Sequence, residues 1–150
     1  MHPLPHRYQV RAEGSPAGTV LMTAPNLPDL ETHAPPEFDG PPGYWSPESL
    51  LAASVADCYI LSYRAVARAS KLEWTNLTVD VEGVLDRVDG ITRFVRFIVK
   101  PHLAIATAER ETLARTVMDK AKRACLVTNS LTAECELVPT LDVAQAAPMA

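Results

Sequence analysis

The stretch Leu50–Ala69 constrains this chain more than any other part of it. It approaches the ~20 apolar residues that cross a bilayer, yet it carries Asp57, Arg64 and Arg68 and is rich in alanine. A carboxylate near the middle of a membrane span costs about 2.5 to 3.5 kcal/mol, more than neighbouring alanines offset. A helix buried in protein is therefore expected, and no membrane partner. Ser46-Pro47-Glu48 opens it, with Ser46 as N-cap, Pro47 at the first helical position and Glu48 facing the positive end of the helix dipole. The helix is predicted from Pro47 to about Ser70. At ~100° per residue Asp57, Arg64 and Arg68 share one narrow stripe, and the rest is apolar or small, as in a helix surrounded on most sides. A chain of 150 residues, 47% apolar and 21% charged, has material for one such core, so residues 1–150 are read as a single domain.

The flanking segments read as strands. Tyr8, Val10 and Ala12 alternate with polar residues, and Gly14 to Gly18 turns the chain into Thr19–Ala24, a β-hairpin signal. Seven prolines among the 23 residues from Pro25 to Pro47 exclude a helix or central strand there, although Asp29–His33 suits a short edge strand. So long a loop in a compact domain is more often a functional wall than slack linker. Beyond Trp74 alternation resumes, Gly83 suggests a bulge, and Asp89-Gly90 is a hairpin turn leading into a strand from Ile91. Thr107–Ala124 has acidic residues early, basic residues late and one apolar face, hence an amphipathic helix. Thr132–Val143 reads as a last strand. An order β-β-(β)-α-β-β-α-β lacks regular βαβ alternation and predicts an α+β fold with antiparallel sheet.

A net charge of −4 argues against a surface that tracks phosphates, so nucleic acid is not an expected partner. The N-terminal residues hold no apolar run of secretory type. Three cysteines, at 58, 125 and 135, make no paired disulfide framework, and a reducing, cytoplasmic setting is expected. His2, His6, His33 and His102 lack metal-ligand spacing, so neither metal nor cofactor is expected.

The thiols therefore carry the question of chemistry. Cys58 lies midway along the apolar helix with Ser54 and Ser62 one turn away on either side. One reading is a small space-filling residue; the other is a nucleophilic thiolate, which needs a nearby cation or donors to offset desolvation. Cys125 follows the basic run Lys120 to Arg123 and precedes Thr128-Asn129-Ser130, where a partly exposed thiol is plausible. Cys135 alternates with Glu134 and Glu136 and is expected to point inward as packing.

The segment Ser46-Pro-Glu-Ser-Leu-Leu-Ala-Ala-Ser-Val-Ala-Asp-Cys58 resembles the central-helix motif of the OsmC/Ohr family, in which Asn-Pro-Glu-x-Leu leads through small residues to a cysteine. Glu48 and Cys58 fall at the family's spacing. Cys125-Leu-Val-Thr-Asn-Ser resembles the family's second cysteine motif, Cys-Pro-Val-Ser or Cys-Pro-Tyr-Ser, and the order of elements agrees along nearly the whole chain. The resemblance implies an intertwined homodimer whose antiparallel sheets wrap long central helices, with active sites at the subunit interface. It further implies a thiol peroxidase in oxidative stress defence: Cys58 reduces an organic hydroperoxide and becomes a sulfenic acid, Cys125 condenses with it, and a dithiol, for instance of lipoyl type, resets the pair. Glu48 completes the implied catalytic set, and Tyr44, Trp45 and Leu51 are candidate substrate-binding residues.

Ten residues separate Glu48 from Cys58, about 15 Å of helical rise, so on one straight helix they do not touch. If they share a site, two antiparallel helices from two chains supply it; otherwise Glu48 only stabilises its own helix start. The family's peroxidases also pair the cysteine with an arginine from the N-terminal strands or the loop before the helix. Here no Lys or Arg stands between Arg11 and Arg64. Arg11 is the first candidate for stabilising the thiolate, ahead of Arg7, a protonated His33 or a residue after position 63. Asp57 beside the cysteine and Leu126 in place of the family's proline are two more departures. They keep open a rival of another class, a non-catalytic member binding an apolar or thiol-containing small molecule at the interface. A docking protein using Pro25–Pro47 lacks a proline-rich core with flanking basic residues.

Overall fold

The structure, a computed structural model, describes residues 1–144. Contacts group it into two units, Met1–Leu50 and the chain from Leu51 onward.

In the first unit, β1 (Arg11–Glu13), β2 (Val20–Thr23) and β3 (Leu30–Thr32) form an antiparallel sheet in that order. The hairpin and the edge strand are where the sequence puts them, except that pairing begins at Arg11 and leaves Tyr8 and Val10 exposed outside the ladder. The proline-rich segment is ordered by its own backbone. A short 3-10 turn, Pro36–Phe38, closes with Phe38 and Gly40 both donating to the Pro35 carbonyl, at 2.9 and 3.0 Å. Gly40 has no substitute here, because a Cβ would sit 1.7 Å from the Ala34 carbonyl oxygen. The chain then returns to β3, where His33 N donates to the Trp45 carbonyl at 3.0 Å.

The helix α1 (Pro47–Ala69) begins as its sequence signals require. Ser46 Oγ accepts from Ser49 N at 3.1 Å, and Ser49 Oγ accepts from Ser46 N at 2.8 Å, so serine fills both places of a capping box.

In the second unit the strands β4 (Asn76–Val88) and β5 (Ile91–Ile105) form a long hairpin through Asp89-Gly90, both at positive φ (52° and 78°). Its register slips between Val84 and Leu85, one residue past Gly83. The bulge that Gly83 marked in the sequence is therefore beside it, and the glycine also makes room: a Cβ there would lie 2.9 Å from the rings of Phe94 and Phe97, whose centroids are 4.9 Å apart. The helix α2 (Glu111–Ala124) follows a 3-10 turn, Ala108–Arg110, and leads into the one-turn helix α3 (Leu126–Asn129).

The predicted last strand is two, β6 (Glu134–Leu137) and β7 (Thr140–Val143), and both run parallel to β5, which corrects the all-antiparallel expectation. The split has a chemical cause. Leu137 pairs with Val99 and Thr140 with His102, so the gap falls opposite Pro101, which has no N–H to give.

Alternate residues of β5, Phe97 to Ile105, point into the core with Ala114, Val117, Met118 and Ala121 of α2. From α1 the core takes Val55, Tyr59, Tyr63 and Ala67, one residue per turn. The chain itself thus buries a single stripe of α1 and leaves Leu61, Asp57, Arg64 and Arg68 exposed, where composition suggested cover on most sides. By length and apolarity alone α1 meets the requirement of a membrane span; its Val55–Ala67 stripe is instead core.

Two buried phenols in that stripe differ in one respect. Tyr59 donates to the Met118 carbonyl at 3.1 Å, whereas the Tyr63 hydroxyl is buried without a partner, its ring edge-on to Trp74 at 5.5 Å. Tyr59→Phe is expected to lower unfolding free energy by about 0.5 to 1.5 kcal/mol in urea melts, and Tyr63→Phe to leave it equal or raise it. Burial also pushes the Tyr63 phenol from 10.0 up to about 12. Its contribution to stability is therefore complete below the unfolded value and is lost as pH rises through the folded one. Urea midpoints followed through this alkaline range should fall less steeply in Tyr63→Phe.

Candidate functional site

The second unit brings two of the three thiols together. Cys58 stands half-buried on α1, directly before the core residue Tyr59, with its sulfur 4.0 Å from Ser62 Oγ. Ser54 turns away and donates to the Leu51 carbonyl at 2.7 Å. Cys125, between α2 and α3, is close enough to Cys58 for the two side chains to interact directly.

Cys125 is fully buried, contrary to the partly exposed thiol expected after a basic run. Lys120 and Arg123 are exposed on α2 and Lys122 is half-buried, while Cys125 leaves the helix in extended conformation (φ −68°, ψ 102°) and turns inward. Burial raises its pKa; Thr128 opposes this through its hydroxyl and its backbone N–H, and the neighbouring Cys58 raises it further. Cys125 is thus the thiol that keeps its proton. Thr128 is a site residue that sequence reasoning missed, although its spacing, three residues after the cysteine, marks a local side-chain-to-backbone turn: Thr128 Oγ1 donates to the Cys125 carbonyl at 3.1 Å.

Cys135, on β6, points inward as expected and is half-buried, packed against the core. Burial raises its pKa, Lys122 lowers it, and Cys125 raises it.

The first unit holds a cavity of about 570 Å³ with walls of Ala12, Val20, Met22, Phe38 and Leu50. Three polar side chains join this apolar lining: Thr32, whose hydroxyl donates to the Val20 carbonyl at 3.4 Å, and Glu48 and His33, each of which has a buried atom without a hydrogen-bond partner, Glu48 Oε2 and His33 Nδ1. The proline-rich segment contributes Ala34, Pro35 and Phe38, so it is the wall that its composition suggested. Tyr44 lies against the His33 ring at 5.8 Å; Tyr44 and Trp45 are themselves about half exposed. Arg11 does not line this cavity. It is exposed on β1 and borders a separate open pocket with Tyr8, Gln9, Thr23 and Pro25. Leu51, the first residue of the second unit, packs against that unit's core. The helix carrying Glu48 and Cys58 is unbroken between them. Among the described residues no group of three or more His, Cys, Asp or Glu is placed to hold a metal ion.

An α+β fold with two cysteines meeting beside a long central helix defines a class, and comparison with known proteins agrees. The family model for OsmC-like proteins matches residues 40–139, and the chain belongs to that family. It is 27% identical over 106 residues to the uncharacterised protein YmaD of Bacillus subtilis, covering 69% of this chain and 71% of that one. An OsmC-like protein of unknown function from Vibrio cholerae superposes with a TM-score of 0.82 at 12% identity, over 90% of this chain and 99% of the other. An organic hydroperoxide resistance protein from Elizabethkingia anophelis superposes with a TM-score of 0.77 at 18% identity, over 95% of this chain and all (100%) of its own. At such identities the structural likeness is one of fold.

The environments of the two thiols predict an order of labelling. With its pKa raised by burial, Cys125 remains the neutral thiol at pH values where an ordinary cysteine is beginning to ionise, and it offers no exposed sulfur. Limited alkylation of the native reduced protein near pH 8, read by peptide mass, should modify Cys58 well before Cys125. Urea should abolish the difference.

Proposed function

We propose that this protein is a thiol-dependent peroxidase that reduces organic hydroperoxides in oxidative stress defence. The observation that carries the proposal is the direct approach of Cys58 and Cys125 from two different helices. Cys58 as thiolate attacks the terminal oxygen of ROOH and breaks the O–O bond; the alcohol ROH leaves and Cys58 becomes a sulfenic acid. The Cys125 thiol then attacks that sulfur, water departs, and a Cys58–Cys125 disulfide remains. A dithiol reductant returns both residues to thiols. Because Cys125 keeps its proton, Cys58 is the member of the pair free to act first.

The apolar cavity holding Glu48 suits a hydroperoxide with a hydrocarbon body, and of the sequence candidates Tyr44, whose ring lies against His33 of the lining, is the one placed to contact it. Arg11 stands outside that cavity, so His33 is the better candidate for pairing with Glu48: an Nδ1–H is a donor, a carboxylate oxygen an acceptor, and both atoms lack partners. We also propose a homodimer with antiparallel central helices, supported by the exposed side of α1, where Leu61 is 51% accessible, and by the need of Glu48 for a second chain to reach a Cys58. A cytoplasmic setting would keep the three free thiols reduced.

A second reading, a non-catalytic protein that binds an apolar or thiol-containing molecule, is favoured by one observation: no Lys or Arg lines the cavity that Glu48 borders. One experiment separates the two. Reduced protein is mixed with equimolar cumene hydroperoxide while peroxide and intact mass are followed. Prompt peroxide loss with a mass decrease of two hydrogens, absent in Cys58→Ser, is expected. No oxidation within minutes would overturn the peroxidase and leave the binder.

A further inference from the structure

The outward face of the second unit's sheet carries a hydrogen-bonded group that the thiol chemistry does not use. On β5 alternate residues from Phe97 to Ile105 point into the core, so His102 points outward, and Thr140 and Asp142 stand beside it on β7. His102 Nδ1 lies 2.6 Å from Thr140 Oγ1, and Nε2 lies 2.7 Å from Asp142 Oδ2. The same hydroxyl is 3.5 Å from the Pro101 carbonyl. On this edge of β5 the carbonyls of Val99 and Ile105 receive backbone donors, Val138 N at 2.8 Å and Ala144 N at 3.0 Å; between them the Pro101 carbonyl has the Thr140 hydroxyl.

Two acceptors thus compete for one hydroxyl hydrogen, and the ring decides. A carboxylate only accepts, so Nε2 carries the hydrogen that faces Asp142. In a neutral ring Nδ1 is then bare and takes the Thr140 hydrogen across 2.6 Å, leaving the Pro101 carbonyl without it. In a charged ring Nδ1–H donates to Thr140 Oγ1, and the hydroxyl turns to Pro101. Three hydrogen bonds then replace two, and the outermost joins opposite charges. Around the ring, β4 places Thr78 directly opposite and Asp80 at the next outward position. On the same face β5 places Lys100, which reaches Glu82 at 3.9 Å, and β6 places Glu136 opposite Ile98. Asp142 is the charged group bonded to the ring.

We propose that these groups form a proton-operated clasp on β7. With His102 charged, the strand is fastened to β5 through Asp142, the ring, the Thr140 hydroxyl and the Pro101 carbonyl in series. With His102 neutral, the last link opens. Among the described residues β7 pairs with β5 alone, beyond the interruption at Pro101, and Thr140 and His102 are the first pair of that ladder. The fastening is therefore complete on the acid side of the His102 titration and is lost as pH rises through it, in the range where histidine ordinarily changes charge. No thiol takes part, so the clasp stands apart from the peroxidase reading.

Backbone hydrogen exchange of the full-length protein, read by peptide mass between about pH 5 and about pH 8, tests the clasp. Each rate is divided by its intrinsic value at that pH, and peptides of β4 serve as the reference. Relative to β4, peptides covering residues 140–144 should lose protection about three- to tenfold from the acid to the alkaline end. His102→Gln should show one constant ratio. Thr140→Val, which keeps the ring and the carboxylate but removes the hydroxyl, should show a smaller change than wild type. A constant ratio in wild type, or an equal loss in His102→Gln, would overturn the clasp; an undiminished loss in Thr140→Val would overturn the step through Pro101.

Discussion

The meeting of two sulfurs depends on how α1 and α2 are held together. Tyr59 follows Cys58 in the chain, and its ring is buried in the core while its hydroxyl donates to the carbonyl of Met118. That bond spans 59 residues of sequence and ties the middle of α1 to the middle of α2. Cys125 lies two turns beyond Met118, at the end of the same helix, so its distance from Cys58 is set by a buried contact and not by a loop. A buried phenol whose polar end is satisfied contributes both packing and direction, and direction is what thiol chemistry needs.

Much of this was legible in the residues, and the parts that were not share a cause. Ser46-Pro47-Glu48, Asp89-Gly90 and the alternation of Leu77, Val79 and Val81 are local signals, and each element began or turned where they stood. The two cysteine motifs placed the chain in its family before any geometry was known. The split of the last strand was missed because it depends on a neighbour, Pro101 of β5, which stands opposite the gap. The second duty of Gly83, beside the bulge it marked, was out of reach because the two rings that pass over it come from the other strand. The burial of Cys125 was hidden by its basic neighbours, because the chain leaves the helix at Cys125 itself and turns it inward. Pattern reads one element at a time, and these features belong to pairs of elements.

The site differs most from its family's pattern in charge. No basic residue stands between Arg11 and Arg64, and the cavity that holds Glu48 is bordered by a histidine instead. A guanidinium keeps its charge through the whole physiological range and holds a carboxylate by two parallel bonds; an imidazole offers one donor at a time and its charge is conditional. On the far side of Cys125 the balance is reversed, with Lys122 and Arg123 both at the pocket that Cys135 borders. Basic side chains thus border the pocket of Cys135, together with Asp119, and among the described residues none borders the cavity of Glu48.

The interruption between β6 and β7 has a bounded consequence for the sheet. Pro101 has no N–H to give, and no rearrangement of side chains can restore the missing rung. On the other side of β5 the ladder with β4 runs on unbroken, with Val79 opposite Pro101, and β6 and β7 keep one common register against β5. The interruption is therefore local to one edge of the sheet, where the Pro101 carbonyl is met by a side chain instead of a backbone donor, the Thr140 hydroxyl at 3.5 Å.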